Sequence, residues 1–449
     1  MKKIIIYSIM ILCLSACELT NVLENDPPNN LVSENVVNNE ADARALLNGV
    51  YTIITSRTLD KYYLFTELIP SAMIGTMSRV GAGGTNGQFG ENALEFDNFV
   101  VRDFYLAFYQ VINAANNTII RTSELPESEV SEDIKREIIG EAYFLRAMGT
   151  FDALRYYGQF FDESSNYGIV LRTEPADFTT RNKARSTVAE TYAQILADLD
   201  IAISDAPSYT VSYRASKTAA KALKAKVQLY RKQYAEAAAL AAEVISEGTT
   251  SLEPTYGEAF SKGLSSSEMI FMTFRDENSD SEDNNRKRFY AGRPGTTWFP
   301  DLMSGDPRQP LTYSGIRVLK TNDVDTFRPT YFLRLAQMYL IRAEALAFSG
   351  ASLDESKAPL NIIRNRVGNG DSPATTIDEL KDDIFDEIVK ELAFENGSDW
   401  FAAIRFDKAM TLKPQITSIN QYILPIPEEE INSNSLVNLA DQNPGYDSI

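Results

Sequence analysis

The side chains best suited to meeting a ligand are aromatic, and glycine and proline keep their surroundings irregular. Between Phe289 and Tyr313 the rings of Phe289, Tyr290, Trp298, Phe299 and Tyr313 are interleaved with Gly292, Pro294, Gly295, Pro300, Gly305, Pro307 and Pro310. That mixture predicts neither a helix nor a long strand. Rings held on such a loop offer flat faces for a sugar ring or a peptide side chain. The competing reading folds the same rings inward as a plug over the core. A second irregular stretch, Ser71 to Asn98, contains Gly75, Gly81, Gly83, Gly84, Gly87 and Gly90, and a loop of that length is either functional or disordered. It supplies hydrogen-bonding groups at Arg79, Asn86 and Gln88, next to Phe89. The candidate ligand-binding residues are therefore Arg79, Asn86, Gln88, Phe89, Tyr290, Trp298 and Tyr313.

The composition argues against most catalytic chemistry. The 449 residues include no histidine and two cysteines, which removes the commonest general base, the commonest metal ligand and nearly every thiol mechanism. Asp276, Asp280 and Asp283 invite a calcium reading, but the stretch lacks the glycine and terminal glutamate of an EF-hand loop, so a solvated loop is the better expectation. No metal or cofactor is expected. A net charge of −19 with scattered acids excludes a nucleic-acid partner, because phosphates require basic patches. A glycosidase working with paired carboxylates needs no histidine and stays open as a rival.

Both cysteines fall in a targeting segment. Lys2 and Lys3 precede an apolar run from Ile4 to Leu14 that is too short to span a bilayer as a stable anchor, and Leu14-Ser15-Ala16-Cys17 offers small residues for cleavage. Residues 1–16 read as a signal peptide. Cleavage there discards two lysines and takes the net charge from −19 to −21. Cys17 would then be the lipid attachment point, and residues 17–39, polar and containing Asp26-Pro27-Pro28, a lipidated tether.

Helical periodicity predicts most of what remains. Ala43, Leu46, Leu47, Val50, Tyr51 and Ile54 mark a helix from Glu40, and Phe104, Phe108, Val111, Ile112, Ala115 and Ile119 mark another between Arg102 and Ile120. A third runs from Ile134 to Tyr157. Ser186 reads as the N-cap of a fourth, through Tyr192, Ile195, Leu199 and Ile203. Lys217–Leu229 and Tyr234–Ile245 form an alanine-rich pair stopped by Gly248. In the central stretch, Phe327 to Val367, a helix is expected just after Pro329, with Phe332, Leu335, Ala336, Tyr339, Leu340, Ala343 and Leu346 on one face and a stop at Ser349-Gly350. A partner folds back through Leu360, Ile363 and Val367. Ile377 to Phe394 is a further helix, and Met269 to Phe274 a strand. Hairpinned helices that bury small residues need more pairs beside them. The expected fold is mostly α: a degenerate tetratricopeptide-like superhelical scaffold with irregular loops and a few short strands. Residues 40–449 form one domain, with inserted loops at about 58–100 and 249–326.

Several stretches also carry specific wording. Arg334-Leu-Ala-Gln-Met-Tyr-Leu-Ile-Arg-Ala-Glu-Ala345, Asn361-Ile-Ile-Arg-Asn-Arg-Val-Gly368, Gly140-Glu-Ala-Tyr-Phe-Leu-Arg-Ala147, Asp306-Pro-Arg308 and Glu391-Leu-Ala-Phe-Glu395 resemble, in order, the signatures of the SusD/RagB family of outer-membrane nutrient-binding lipoproteins. The segment around Cys17 resembles a bacterial lipobox. Leu424-Pro-Ile-Pro427, Glu430-Ile431 and Gln442-Asn-Pro-Gly-Tyr446 are similar to the family's closing motif, a tail whose prolines predict an extended brace along the body. Two departures stand out. Asp399 precedes Trp400 where the family usually carries an arginine, and Asn434-Ser435 replaces an Asn-Pro.

The resemblance implies about four helix pairs in a scaffold, with inserted segments building a ligand surface on another face. It also implies a lipid-anchored outer-membrane protein facing the cell exterior, which captures a glycan and delivers it to a SusC-like TonB-dependent transporter without breaking bonds. Peptide cargo, as in the RagB branch, is the alternative. A pure protein-assembly scaffold is the remaining rival, and it requires the glycine-rich and aromatic loops to pack inward.

Overall fold

The computed structural model describes residues 37–55, 62–78, 87–275, 295–314, 317–320 and 329–446, with the backbone alone at 63, 64 and 317. In chain order the first helices are α1 (Glu40–Thr55), α2 (Tyr63–Ile74), the short α3 (Gly87–Glu91), α4 (Phe99–Ser123), α5 (Glu132–Tyr157), α6 (Val188–Asp205), α7 (Lys217–Tyr230) and α8 (Tyr234–Ser246). An inserted region follows, with α9 (Tyr256–Ser261), β1 (Met269–Met272), α10 (Trp298–Met303), α11 (Gln309–Thr312), β2 (Tyr313–Ser314), β3 (Arg317–Val318) and β4 (Tyr331–Arg334). The chain then returns to helices: α12 (Leu335–Ser349), α13 (Leu353–Arg366), α14 (Ile377–Leu392), α15 (Ser398–Arg405), α16 (Ala409–Leu412) and α17 (Glu428–Ser433).

The long helices stack as neighbours, α4 on α5, α5 on α6, α7 on α8, and α8 on α12, which also packs on α13 and α14. The mostly α scaffold read from the sequence is what forms. Small residues allow close approach. Ala219, Ala220, Ala222 and Ala225 on α7 and Ala237 and Ala241 on α8 are fully buried. At Gly140 of α5 an added Cβ would sit 2.3 Å from the Ala206 nitrogen, so only glycine lets the end of α6 come this near.

Side-chain caps set the helix ends. Thr187, one residue beyond the expected Ser186, is the N-cap of α6 and forms a capping box with Glu190; Ser352 and Glu355 do the same for α13, and Thr376 and Glu379 for α14. Gly350 ends α12 in the left-handed conformation, φ 84°.

The central stretch differs from its expected form at one end. Tyr331–Arg334 is a strand, paired antiparallel to β1 with Phe271 opposite Leu333, and the helix begins only at Leu335. Its residues are buried on both faces, so Phe332 fits a buried strand as well as a helical stripe. The expected strand at Met269 holds. The tail braces the body as anticipated: the Leu424 N–H donates to the Tyr156 carbonyl at 2.6 Å, and the Asn443 side chain donates to Tyr157 and Leu424 carbonyls at 2.9 and 2.7 Å. Among the described residues no helix is long and apolar enough to cross a membrane.

Candidate ligand-binding face

Helix α2 is the spine on which the inserted region stands. It lies inside the expected inserted loop at about 58–100 and overlaps the irregular stretch only from Ser71 to Ile74; it is apolar nearly all round, YLFTELIPSAMI, so no amphipathic period announces it. Near its middle, Glu67 accepts a hydrogen bond from the Thr330 hydroxyl at 2.5 Å, and the Thr273 N–H donates to the Thr330 carbonyl at 3.0 Å. About 10 Å further along the helix axis, its C-terminal carbonyls carry a second foot. The Thr296 N–H donates to the Gly75 carbonyl at 2.9 Å and the Trp298 indole N–H to the Ile74 carbonyl at 3.1 Å. An added Cβ on Gly295 would lie 2.3 Å from the Gly75 oxygen, so the two backbones meet where only glycine fits.

The inserted region is fastened to the stack by a buried ionic network. Arg334, at the end of β4, donates to Glu268 at 2.6 Å, to Glu391 at 2.7 Å and to Glu395 at 2.7 Å. Arg308 meets Asp306 at 2.9 Å, Glu387 at 2.7 Å and Glu391 at 2.9 Å. Arg366 bridges Glu268 and Glu391, and Lys320 reaches Glu395 at 2.5 Å. None of these side chains is more than 5 % exposed. Burial would lift the Glu391 carboxyl, but Arg366, Arg334 and Arg308 hold it far below the ordinary carboxylate range. The motifs Asp306-Pro-Arg308 and Glu391 to Glu395 are thus the ionic anchor of the fold, and they are not free carboxylates in a cleft.

The expected ligand residues divide. Arg79, Asn86 and Tyr290, with the acidic loop at Asp276, Asp280 and Asp283, lie outside the described residues. Phe89 and Tyr313 are corrected: Phe89 is fully buried, and Tyr313 is 9 % exposed in β2 with its ring centroid 5.6 Å from that of buried Phe299. Apolar rings beside turns were drawn into the core. Gln88 is spent locally. Its carbonyl accepts from the Asn98 side chain at 2.7 Å, and Asn98 is the N-cap of α4. Trp298 remains at the surface, partly exposed, its indole N–H occupied and its ring edge-to-face with Phe299 at 5.9 Å. It opens α10, a helix in a stretch expected to have none; Pro300 is tolerated because it falls in the first turn.

The sequence missed a second aromatic group. Tyr51, Thr55, Tyr213, Phe271, Met272 and Phe274 line a hollow of about 170 Å³ where α1 meets β1. The rings of Tyr213 and Phe274 meet edge-to-face at 5.0 Å, and Phe274 is 43 % exposed. The Tyr51 hydroxyl donates to Glu141 at 2.5 Å and accepts from the Ala215 N–H at 2.8 Å. The Arg214 guanidinium lies 4.2 Å from the centre of the Tyr51 ring. The sequence signals for this group are scattered: Tyr51 falls on the first expected helical face, and Phe271, Met272 and Phe274 fall in the run expected as a strand.

With this geometry in place, the relationships of the chain become specific. A family model described as starch-binding associating with outer membrane matches residues 22–229, and one described as SusD family matches residues 311–446. The chain belongs to the SusD/RagB family. SusD-like protein P2 of Formosa agariphila is 24% identical over 99% of this chain and 100% of its own length. A SusD superfamily protein from Bacteroides thetaiotaomicron superposes with a TM-score of 0.76 at 22% identity, covering 90% of this chain and 100% of that one. A laminarin-binding SusD-like protein does so with a TM-score of 0.74 at 23% identity, over 91% and 100%. At these identities the structural likeness is one of fold.

Proposed function

We propose that this protein is a non-catalytic, carbohydrate-binding lipoprotein of the outer membrane. On this reading Cys17 carries the lipid, the face standing on α2 holds a glycan by aromatic stacking, and a SusC-like TonB-dependent transporter receives it. The observation that carries the reading is the pinning of a partly exposed Trp298 to the carbonyls of a buried helix, a preformed platform for a sugar ring. The hollow beside Tyr213 and Phe274 supplies a second apolar surface. Arg79, Asn86 and Tyr290 belong to the same proposal by their place in the sequence. Family membership favours binding over catalysis, and the laminarin-binding neighbour favours a glucan over a peptide as the first ligand to try.

Calorimetric titration with laminarin oligosaccharides and a panel of other glycans tests it. Binding in the micromolar to millimolar range is expected, and Trp298→Ala should weaken it about tenfold. Unchanged affinity would remove Trp298 from the site, and release of shorter sugars during the titration would overturn the non-catalytic reading. Co-purification of a barrel transporter from outer membranes tests the delivery step.

A further inference from the structure

Asp399 is one of the two departures noted in the sequence, and its surroundings show what it holds. The side chain is fully buried at the second position of α15 and points at the turn that ends α2. Its Oδ2 accepts hydrogen bonds from the Thr76 hydroxyl and, at 3.2 Å, from the Ser71 hydroxyl, while Oδ1 accepts from the Trp400 N–H at 3.0 Å. Among the described residues no lysine or arginine forms an ion pair with it. A buried carboxylate held only by neutral donors is costly, and packing alone would be served better by an apolar side chain. Burial pushes its pKa up, with Thr76, Trp400 and Ser71 opposing.

What the carboxylate grips is the turn that carries the ligand face. Gly75, at φ 88°, and Met77 both donate to the Ser71 carbonyl, at 3.0 and 2.9 Å, closing the end of α2. Against the same turn, Thr296 bonds to Gly75 and Trp298 to Ile74, while Gly295 packs on the Gly75 and Thr76 backbone. We infer that Asp399 is a positioning residue: through Thr76 it fixes the turn after α2 and so the orientation of Trp298. The consequence for ligand affinity rests on the carbohydrate reading proposed above; the consequence for Trp298 does not.

The chain has two tryptophans, Trp298 and Trp400, so the difference between wild type and Trp298→Phe isolates the Trp298 emission. Thr76→Val removes the donor while keeping the shape, and Asp399→Asn removes the charge. In each folded variant the Trp298 emission should shift and acrylamide should quench it more readily, while Thr76→Ser restores the wild-type signal. Losing one hydrogen bond to a charged group should also weaken laminarin binding about tenfold. Should Asp399→Asn fail to fold, Thr76→Val decides. Wild-type emission and quenching in folded Thr76→Val would overturn the inference. If wild type binds no laminarin, the carbohydrate reading fails and the emission result still decides the positioning role.

Discussion

Arg334 closes β4 and opens α12 with its guanidinium 1 % exposed among the carboxylates of Glu268, Glu391 and Glu395. Moving such charges out of water costs several kcal/mol per ion, and the cluster persists because every cation meets more than one partner. Removing a single member should therefore cost more than any surface pair is worth. Arg334→Met, which leaves the three carboxylates facing one another, should destabilise the protein by about 3–5 kcal/mol in urea unfolding. A loss under 1 kcal/mol would mean that Arg366 and Lys320 compensate. The same residues show how far a single side chain could be read from the sequence. Arg334, Glu391 and Glu395 stood out by wording, yet their mutual ion pairs depend on contacts between distant parts of the chain. Phe89 and Tyr313 were visible as aromatics near turns, but the direction a ring faces is decided by packing that the composition of a loop does not encode.

At the scale of elements, legibility followed periodicity. Helices with one apolar stripe, such as α6, α8 and α14, were located to within a few residues, and their caps explain the ends. Replacing Thr187 by alanine breaks one half of the α6 capping box, the hydroxyl that accepts from the Glu190 N–H at 3.1 Å, and leaves the backbone N–H of residue 187 donating to the Glu190 side chain at 2.8 Å. The expected cost is about 1 kcal/mol, read as a lowered thermal midpoint with unchanged helical circular dichroism. Helix α2 escaped notice for the opposite reason. Residues 65–74 of it are all buried and it carries Pro70, so it has neither stripe nor uninterrupted propensity, although its end holds the Trp298 indole. The strand at Tyr331 was read as helix because short apolar runs look alike in both.

Over the whole molecule, the helical stack and the inserted region are joined by carboxylates that must stay ionised, which makes acid the condition most apt to separate them. Glu391 has its folded pKa depressed by Arg366, Arg334 and Arg308 against the opposing effect of burial, and Asp306 is likewise lowered, with Arg308 outweighing burial. A depressed carboxylate binds fewer protons folded than unfolded. Its contribution is thus fully present above the unfolded value of about 4 and is lost as pH falls toward the folded one. Asp198 and Glu141 act in the opposite sense, because burial raises them despite Arg146 and Arg214. Asp198 has Arg146 beside it and Glu141 has Arg214 and Arg44, whereas Glu391 has three arginines and Lys320, so the depressed groups should dominate. Urea midpoints should hold level from about pH 7 to 5 and fall steeply below about pH 4. In Arg334→Met the fall should be shallower, because Glu391 loses one of the charges that depress it. A midpoint that rises on acidification in the wild type would show that the buried carboxylates are already protonated and that the ionic anchor is not what holds the inserted region to the stack.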